Sequence, residues 1–237
     1  MHTESSTTRQ PGGQLAALIL LLAASGCASV RQAIPQDIAA TGTAFEVRSA
    51  GRMYQLFGDG HFEVGSYRIS GIHHDVAIGN ELSIGQYSQA SATGRFNFAI
   101  AGPRATWKAL CDRQYLARVF AWHRGDVASS KSSLHCELSS GAQLATLELR
   151  DENRSWYGAV RTGDKSYAIR QFLSGEPIAR SADTPEALGL RIDRGGQNLA
   201  ALAFDHPGTF WLNGTLAPEQ QDTFAAVLAA LLINARQ

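Results

Sequence analysis

The stretch Phe224–Ile233, FAAVLAALLI, is a run of ten apolar residues without a charge. Its approach reads as a helix start. Pro218 suits a first helical turn, and Glu219 and Asp222 lie where the positive end of the helix dipole favours carboxylates. The spacing predicts a helix over about 218–235. A helix on a protein surface carries one apolar stripe, whereas this run is apolar all round and therefore needs protein on every side. Ten helical residues rise only about 15 Å, half of a hydrocarbon core, so the run is not a bilayer span. Two hosts satisfy it. One is a closed β-barrel threaded by its terminal helix. The other is a sandwich or open sheet with the helix packed on one face and its far side covered by loops or a partner.

The sequence before the helix supplies the β-structure both hosts require. Phe45 and Val47 alternate with Glu46 and Arg48, and Phe62 and Val64 with Glu63 and Gly65. Phe96, Phe98 and Ile100 alternate with Asn97 and Ala99, and Leu147 and Leu149 with Glu148 and Arg150. A period of two is the mark of half-buried strands. Turn residues separate these runs at Gly58-Asp59-Gly60, Gly125-Asp126, Gly163-Asp164, Gly195-Gly196 and Asn213-Gly214. The fold class is mainly β: an antiparallel sandwich or barrel of short strands, five to eight residues each, with a hydrophobic C-terminal helix. On the helix and the strand-rich run Tyr167–Leu212 before it, the chain resembles the tubby-like and scramblase-like proteins, in which a sheet barrel wraps a hydrophobic C-terminal helix. Some members bind phosphoinositides through a basic pocket. Arg and Lys are scattered here, so that function does not carry over.

A second apolar run, Leu15–Ala24 (LAALILLLAA), opens the chain and has the length of a signal-peptide core. Ala24-Ser25-Gly26-Cys27 follows it and resembles a lipobox, the site at which bacterial lipoproteins are lipidated on cysteine and cut just before it. The match departs from the usual pattern at Ala24, where a larger aliphatic residue is common. Residues 1–14 also carry only Arg9 against Glu4. An ordinary cleaved secretion signal is the rival. The resemblance implies a signal peptide over 1–26, diacylglycerol and palmitate-type acylation on Cys27, and a membrane partner through that lipid. Ala28 is not the Asp that often retains lipoproteins at the inner membrane. The implied location is therefore the outer membrane, facing the periplasm. Residues 27–43 read as a tether and 44–237 as one β-rich domain.

The chain has three cysteines. With Cys27 acylated, Cys111 and Cys136 remain as an even pair in an oxidising compartment and are expected to form a disulfide. If Val119–Trp122 runs into a hairpin near Gly125-Asp126, the two lie opposite one another. The polar Ser129–Ser133 (SSKSS) leaves a longer loop open.

Charge is balanced, 21 basic against 21 acidic residues. This argues against nucleic acid as a partner. Any macromolecular partner is expected to be an envelope protein. His73-His74-Asp75 is the most polar cluster and the one weak metal candidate. Neighbouring residues on a strand face opposite ways, however, and Gly71 and Gly79 suggest an exposed loop. His135-Cys136 would pair imidazole with thiol only without the disulfide. Asp205-His206-Pro207-Gly208 reads as a turn. Trp107, Trp122, Trp156 and Trp211 fit a core or strand edge better than a glycan platform. GxSxG, SxxK and HExxH are absent, and no cofactor is expected. The expectation is a non-enzymatic binding or assembly component. The alternatives are an envelope hydrolase with noncontiguous acid and base residues, and a carrier of a small apolar ligand in a hollow barrel.

Overall fold

A computed structural model describes residues 36–48, 60–75, 77–122, 125–153, 155–173, 187–204 and 208–236. Helix α1 (Gln36–Thr41) leads into thirteen strands: β1 (Gly42–Arg48), β2 (Gly60–Val64), β3 (Tyr67–His74), β4 (Ile78–Ile84), β5 (Tyr87–Ala101), β6 (Thr106–Trp122), β7 (Gly125–Ser140), β8 (Gln143–Glu152), β9 (Ser155–Thr162), β10 (Lys165–Leu173), β11 (Ala187–Arg194), β12 (Gln197–Ala203) and β13 (Thr209–Asn213). Helix α2 (Pro218–Ala235) follows. All pairings are antiparallel. β1 pairs with β13 and β3 with β5, so twelve strands close into a barrel, with β4 added on the outer half of β5. Closure removes the open sheet edges of the twelve-stranded ring, and among the described residues β4, paired with β5 alone, keeps one.

The core is built by alternation. Phe96, Phe98 and Ile100 on β5, Trp107, Ala109 and Cys111 on β6, Leu134, Cys136 and Leu138 on β7, and Ala145, Leu147 and Leu149 on β8 are all buried. They point inward, every second residue. α2 fills the space they enclose. Every residue from Asp222 to Asn234 is buried. The helix packs on β6, β7, β12 and β13. In a ring of twelve, β12 stands six places from β6 and β13 six from β7, so α2 touches opposite walls. The rival host, a sheet with the helix on one face, does not apply: the helix threads the barrel.

One barrel end carries the turns at 65–66, 141–142, 163–164 and 195–196, together with the start of α2. The Asp222 carboxylate fixes α2 there. It accepts the Ala105 backbone N–H at 3.1 Å and the Tyr67 hydroxyl. A side chain at Gly102 would meet Asp222 Oδ1 at 2.9 Å, so the β5–β6 turn needs glycine to approach so closely. Tyr167 of β10 meets Phe224 edge-on, with ring centroids 5.1 Å apart.

Two features differ from the expected short strands. β5, β6 and β7 have 15, 17 and 16 residues, and their far halves rise past the barrel rim with β4 as a four-stranded wing. Ser129–Ser133, open to a loop reading in the sequence, belongs to β7 in this wing. Six residues of the segment read as a tether form α1. Ile38 of α1 packs with Phe172, Ala201 and Ala203, so β12 is buried on both faces.

Candidate functional site

Cys111 and Cys136 face each other directly across β6 and β7, with Cα atoms 4.1 Å apart, and form a fully buried disulfide. This realises the hairpin arrangement. It also occupies the thiol that His135 would have activated. Cys27, the expected lipid site, lies outside the described residues, as do Asp205-His206-Pro207.

The His73-His74-Asp75 cluster is exposed, as expected, but it is not a loop. His73 and His74 end β3 and pair with Asn97 and Phe96 of β5. The Asp75 N–H continues the ladder by donating to the Arg95 carbonyl at 2.9 Å. A register shift between Ser70 and His73, beside the positive-φ Gly71, lets the strand go on where the glycine suggested an end. The His74 ring lies 5.9 Å from that of Phe96. Partial burial and then the charge of His73 lower its pKa. Among the described residues no group of three His, Cys, Asp or Glu side chains comes together to hold a metal.

Two open grooves, each of about 380 Å³, mark the surface. One lies at the mouth of the barrel beside the start of α2 and is lined in part by Trp107, Leu144, Lys165, Tyr167, Gln220 and Thr223. Its carboxylate Glu219 is held 3.4 Å from Arg104. The buried Trp107 indole N–H has no hydrogen-bond acceptor among the described residues, a feature that no periodicity in the sequence signals. The other groove lies at the root of the wing and includes Thr93, Gln114, Tyr115, Lys131, Arg150 and Glu152. Glu152 there is committed to Lys131 at 3.1 Å. Asp151 and Glu152 are consecutive on β8 and face opposite ways, so they do not make an acid–base pair.

On the far wall, Asp193 is 5% exposed, with Arg170 at 3.6 Å and Arg191 at 4.0 Å. Arg191 also reaches Asp37 of α1 at 3.4 Å. This ionic cluster ties α1 to the barrel and gives that carboxylate a structural role. Compared with protein-family models, with curated proteins and with solved structures, the chain matches none.

Proposed function

We propose that this chain is a bacterial lipoprotein, acylated on Cys27 after removal of residues 1–26. In this reading it is held at the outer membrane facing the periplasm and acts there as a binding or assembly component. The observation that carries the binding role is the filled lumen. α2 occupies the interior from wall to wall, so a partner meets the outside of the barrel. The same filling removes the hollow interior on which an apolar-ligand carrier depends. The buried Cys111–Cys136 disulfide supports an oxidising compartment, because cytosolic thiols are kept reduced. A closed barrel around a hydrophobic C-terminal helix also supports kinship with the tubby-like proteins, which we hold as part of the proposal.

Mass spectrometry of the membrane form tests the anchor: a fragment beginning at Cys27 should carry acyl mass, and Cys27→Ala should release the protein from the membrane fraction. Unchanged membrane retention of Cys27→Ala would overturn it. Turnover of an envelope substrate by the purified protein, lost on mutation of a defined acid–base pair, would replace the binding role with the hydrolase reading.

A further inference from the structure

The wing is anomalous as a free-standing structure. A barrel strand hides one face against the core, but β4 and the far halves of β5–β7 leave the core behind. The cross-strand register sorts their side chains onto two faces. On the outward face the tip row is Ile84, Tyr87 and Phe120. The next row is Leu82, Gln89, Arg118 and Ser129, and the third is Asn80, Ser91, Leu116, Lys131 and Glu152. A fourth holds Ile78, Thr93, Gln114, Ser133 and Arg150. Along β4 this face is bare and, apart from Asn80, aliphatic: Ile78 is 72% exposed, Leu82 53% and Ile84 65%. The opposite face is mostly small and polar, with Gly79, Glu81, Ser83, Ser88, Ala90, Ala92, Ala117 and Ser130; its larger apolar side chains, Tyr115 and Val119, lie on β6, and along β4 it has none.

We propose that the outward face of the wing, through Ile78, Leu82, Ile84 and Tyr87, seats in the headgroup–acyl boundary of the membrane that holds the chain. The choice of a bilayer rests on the lipid-anchor reading of Cys27. Three observations favour it. The first is reach. Nine residue steps lead from Cys27 to Gln36, and at about 3.3–3.6 Å per residue they span at most about 32 Å. The described chain starts beside Ile38, which packs on Phe172 and Ala203, near the ends of β10 and β12 at the rim from which the wing rises. Ile38 packs on β12, across the barrel from β6, and a tether of this length still lets the wing tip meet the bilayer that holds a lipid on Cys27.

The second is charge. The chain is neutral overall. The four outward rows carry Arg118, Lys131 and Arg150 against Glu152 alone, with Arg118 one row behind the apolar tip. An apolar lip backed by cations suits anionic headgroups. The third is area. Four strands about 4.8 Å apart and seven residues of about 3.4 Å give a flat footprint of about 450 Å², so two copies stacked on this face cover about 900 Å², short of the about 1,200–2,000 Å² of a stable interface. Edge-to-edge pairing of two β4 strands centred on Glu81 would place the two carboxylates opposite each other.

The test uses the full chain with Gln86→Cys in the β4–β5 turn, labelled with a polarity-sensitive fluorophore. Ala142→Cys in the β7–β8 turn at the other barrel end is the control. Probes are phosphatidylethanolamine vesicles, with and without phosphatidylglycerol, and the same vesicles with brominated tails. The Gln86 label should shift blue and be quenched by brominated lipid, while the Ala142 label stays wet. Leu82→Ser with Ile84→Ser should abolish the shift. Arg118→Glu, which leaves the apolar residues and the thermal midpoint intact, should weaken binding several-fold on anionic vesicles only. Equal responses at both turns, or no response at Gln86, would overturn the proposal. So would a shift without vesicles that grows with protein concentration, the sign of a second copy. Acyl mass on Cys27 with a wet Gln86 label removes the wing proposal alone; a missing acyl group with the shift intact removes the anchor alone.

Discussion

If α2 is enclosed by the barrel, both of its faces should punish a change of volume, and that separates it from a helix lying on a sheet. Leu228 and Ala230 lie two residues apart, about 200° around the helix, and both are 0% exposed. The large side chains Phe224, Val227, Leu228 and Leu231 gather on the first of these faces, and Ala226 and Ala230 on the second. Leu228→Ala removes buried methyl groups and leaves a cavity the surrounding strands cannot collapse into, at a cost of about 3–5 kcal/mol. Ala230→Leu forces the same atoms into a filled wall and costs about 1–3 kcal/mol. For a domain near 200 residues, about 2–4 °C are lost per kcal/mol. The midpoint should therefore fall by about 6–20 °C in the first variant and by about 2–12 °C in the second. Thermal unfolding followed by far-ultraviolet circular dichroism, with a denaturant series for the free energies, reads both. A midpoint within 1–2 °C of the parent for either variant would refute the enclosure, because that face would then be open.

Four further outcomes follow from single sites. Burial, reinforced by the charge of Asp222, raises the Tyr67 pKa far above that of an ordinary tyrosine near 10. Stability tied to this proton is therefore full below pH 10 and lost as pH rises beyond it; Tyr67→Phe should flatten that alkaline loss in melting curves while costing about 1–3 kcal/mol at neutral pH through the donor Asp222 loses. His74, lowered from the ordinary value near 6.5, acts in the opposite direction: its contribution is intact above that value and declines as pH falls below it, and His74→Gln should remove that part of the acid dependence. A Cβ at Gly158 would collide with the Glu148 carbonyl oxygen and the Leu149 Cα, so Gly158→Ala should cost at least the about 1–3 kcal/mol of an overpacked core; unaltered urea midpoints would refute that. Replacing Cys111 and Cys136 by Ser should cost about 3 kcal/mol in the loop-entropy model, with hydrogen exchange rising first in the β6–β7 hairpin that the bond encloses.

The sequence made the barrel legible where one face of a strand is buried and the other wet. Phe62 and Val64, Phe96 to Ile100, and Leu147 and Leu149 alternate because the lumen selects every second residue, and all of them lie in the core. The helix was legible for the converse reason: uniform apolarity over 224–233 matches a lumen that surrounds it. The wing was legible only along β4, where Ile78, Leu82 and Ile84 alternate with Gly79, Glu81 and Ser83. In the far halves of β5–β7 neither face is packed in the core, so no period of two is imposed, and SSKSS leaves a loop open while it forms part of β7. The His73-His74 extension of β3 was hidden likewise, since a glycine at positive φ can mark either a turn or a register shift inside a strand. The unpaired Trp107 indole and the Asp193–Arg191–Asp37 tie depend on residues far apart in the chain, which periodicity cannot join.

The disulfide and the wing belong to one design. Cys111 and Cys136 join the two longest strands, one inward row below the pair Arg113–Leu134, whose Leu134 is the last buried residue of β7 before β6 and β7 leave the barrel. The 25-residue separation they close is the wing's central hairpin and little else. A two-stranded hairpin away from a core is marginal in water, and a cross-link at its root removes chain entropy from that hairpin when it detaches. Placed in the barrel wall between β12 and β13, the same bond would reinforce strands already held by α1 outside and α2 inside. Its position fits a wing that must keep its shape while its apolar face stays in contact with something outside the barrel.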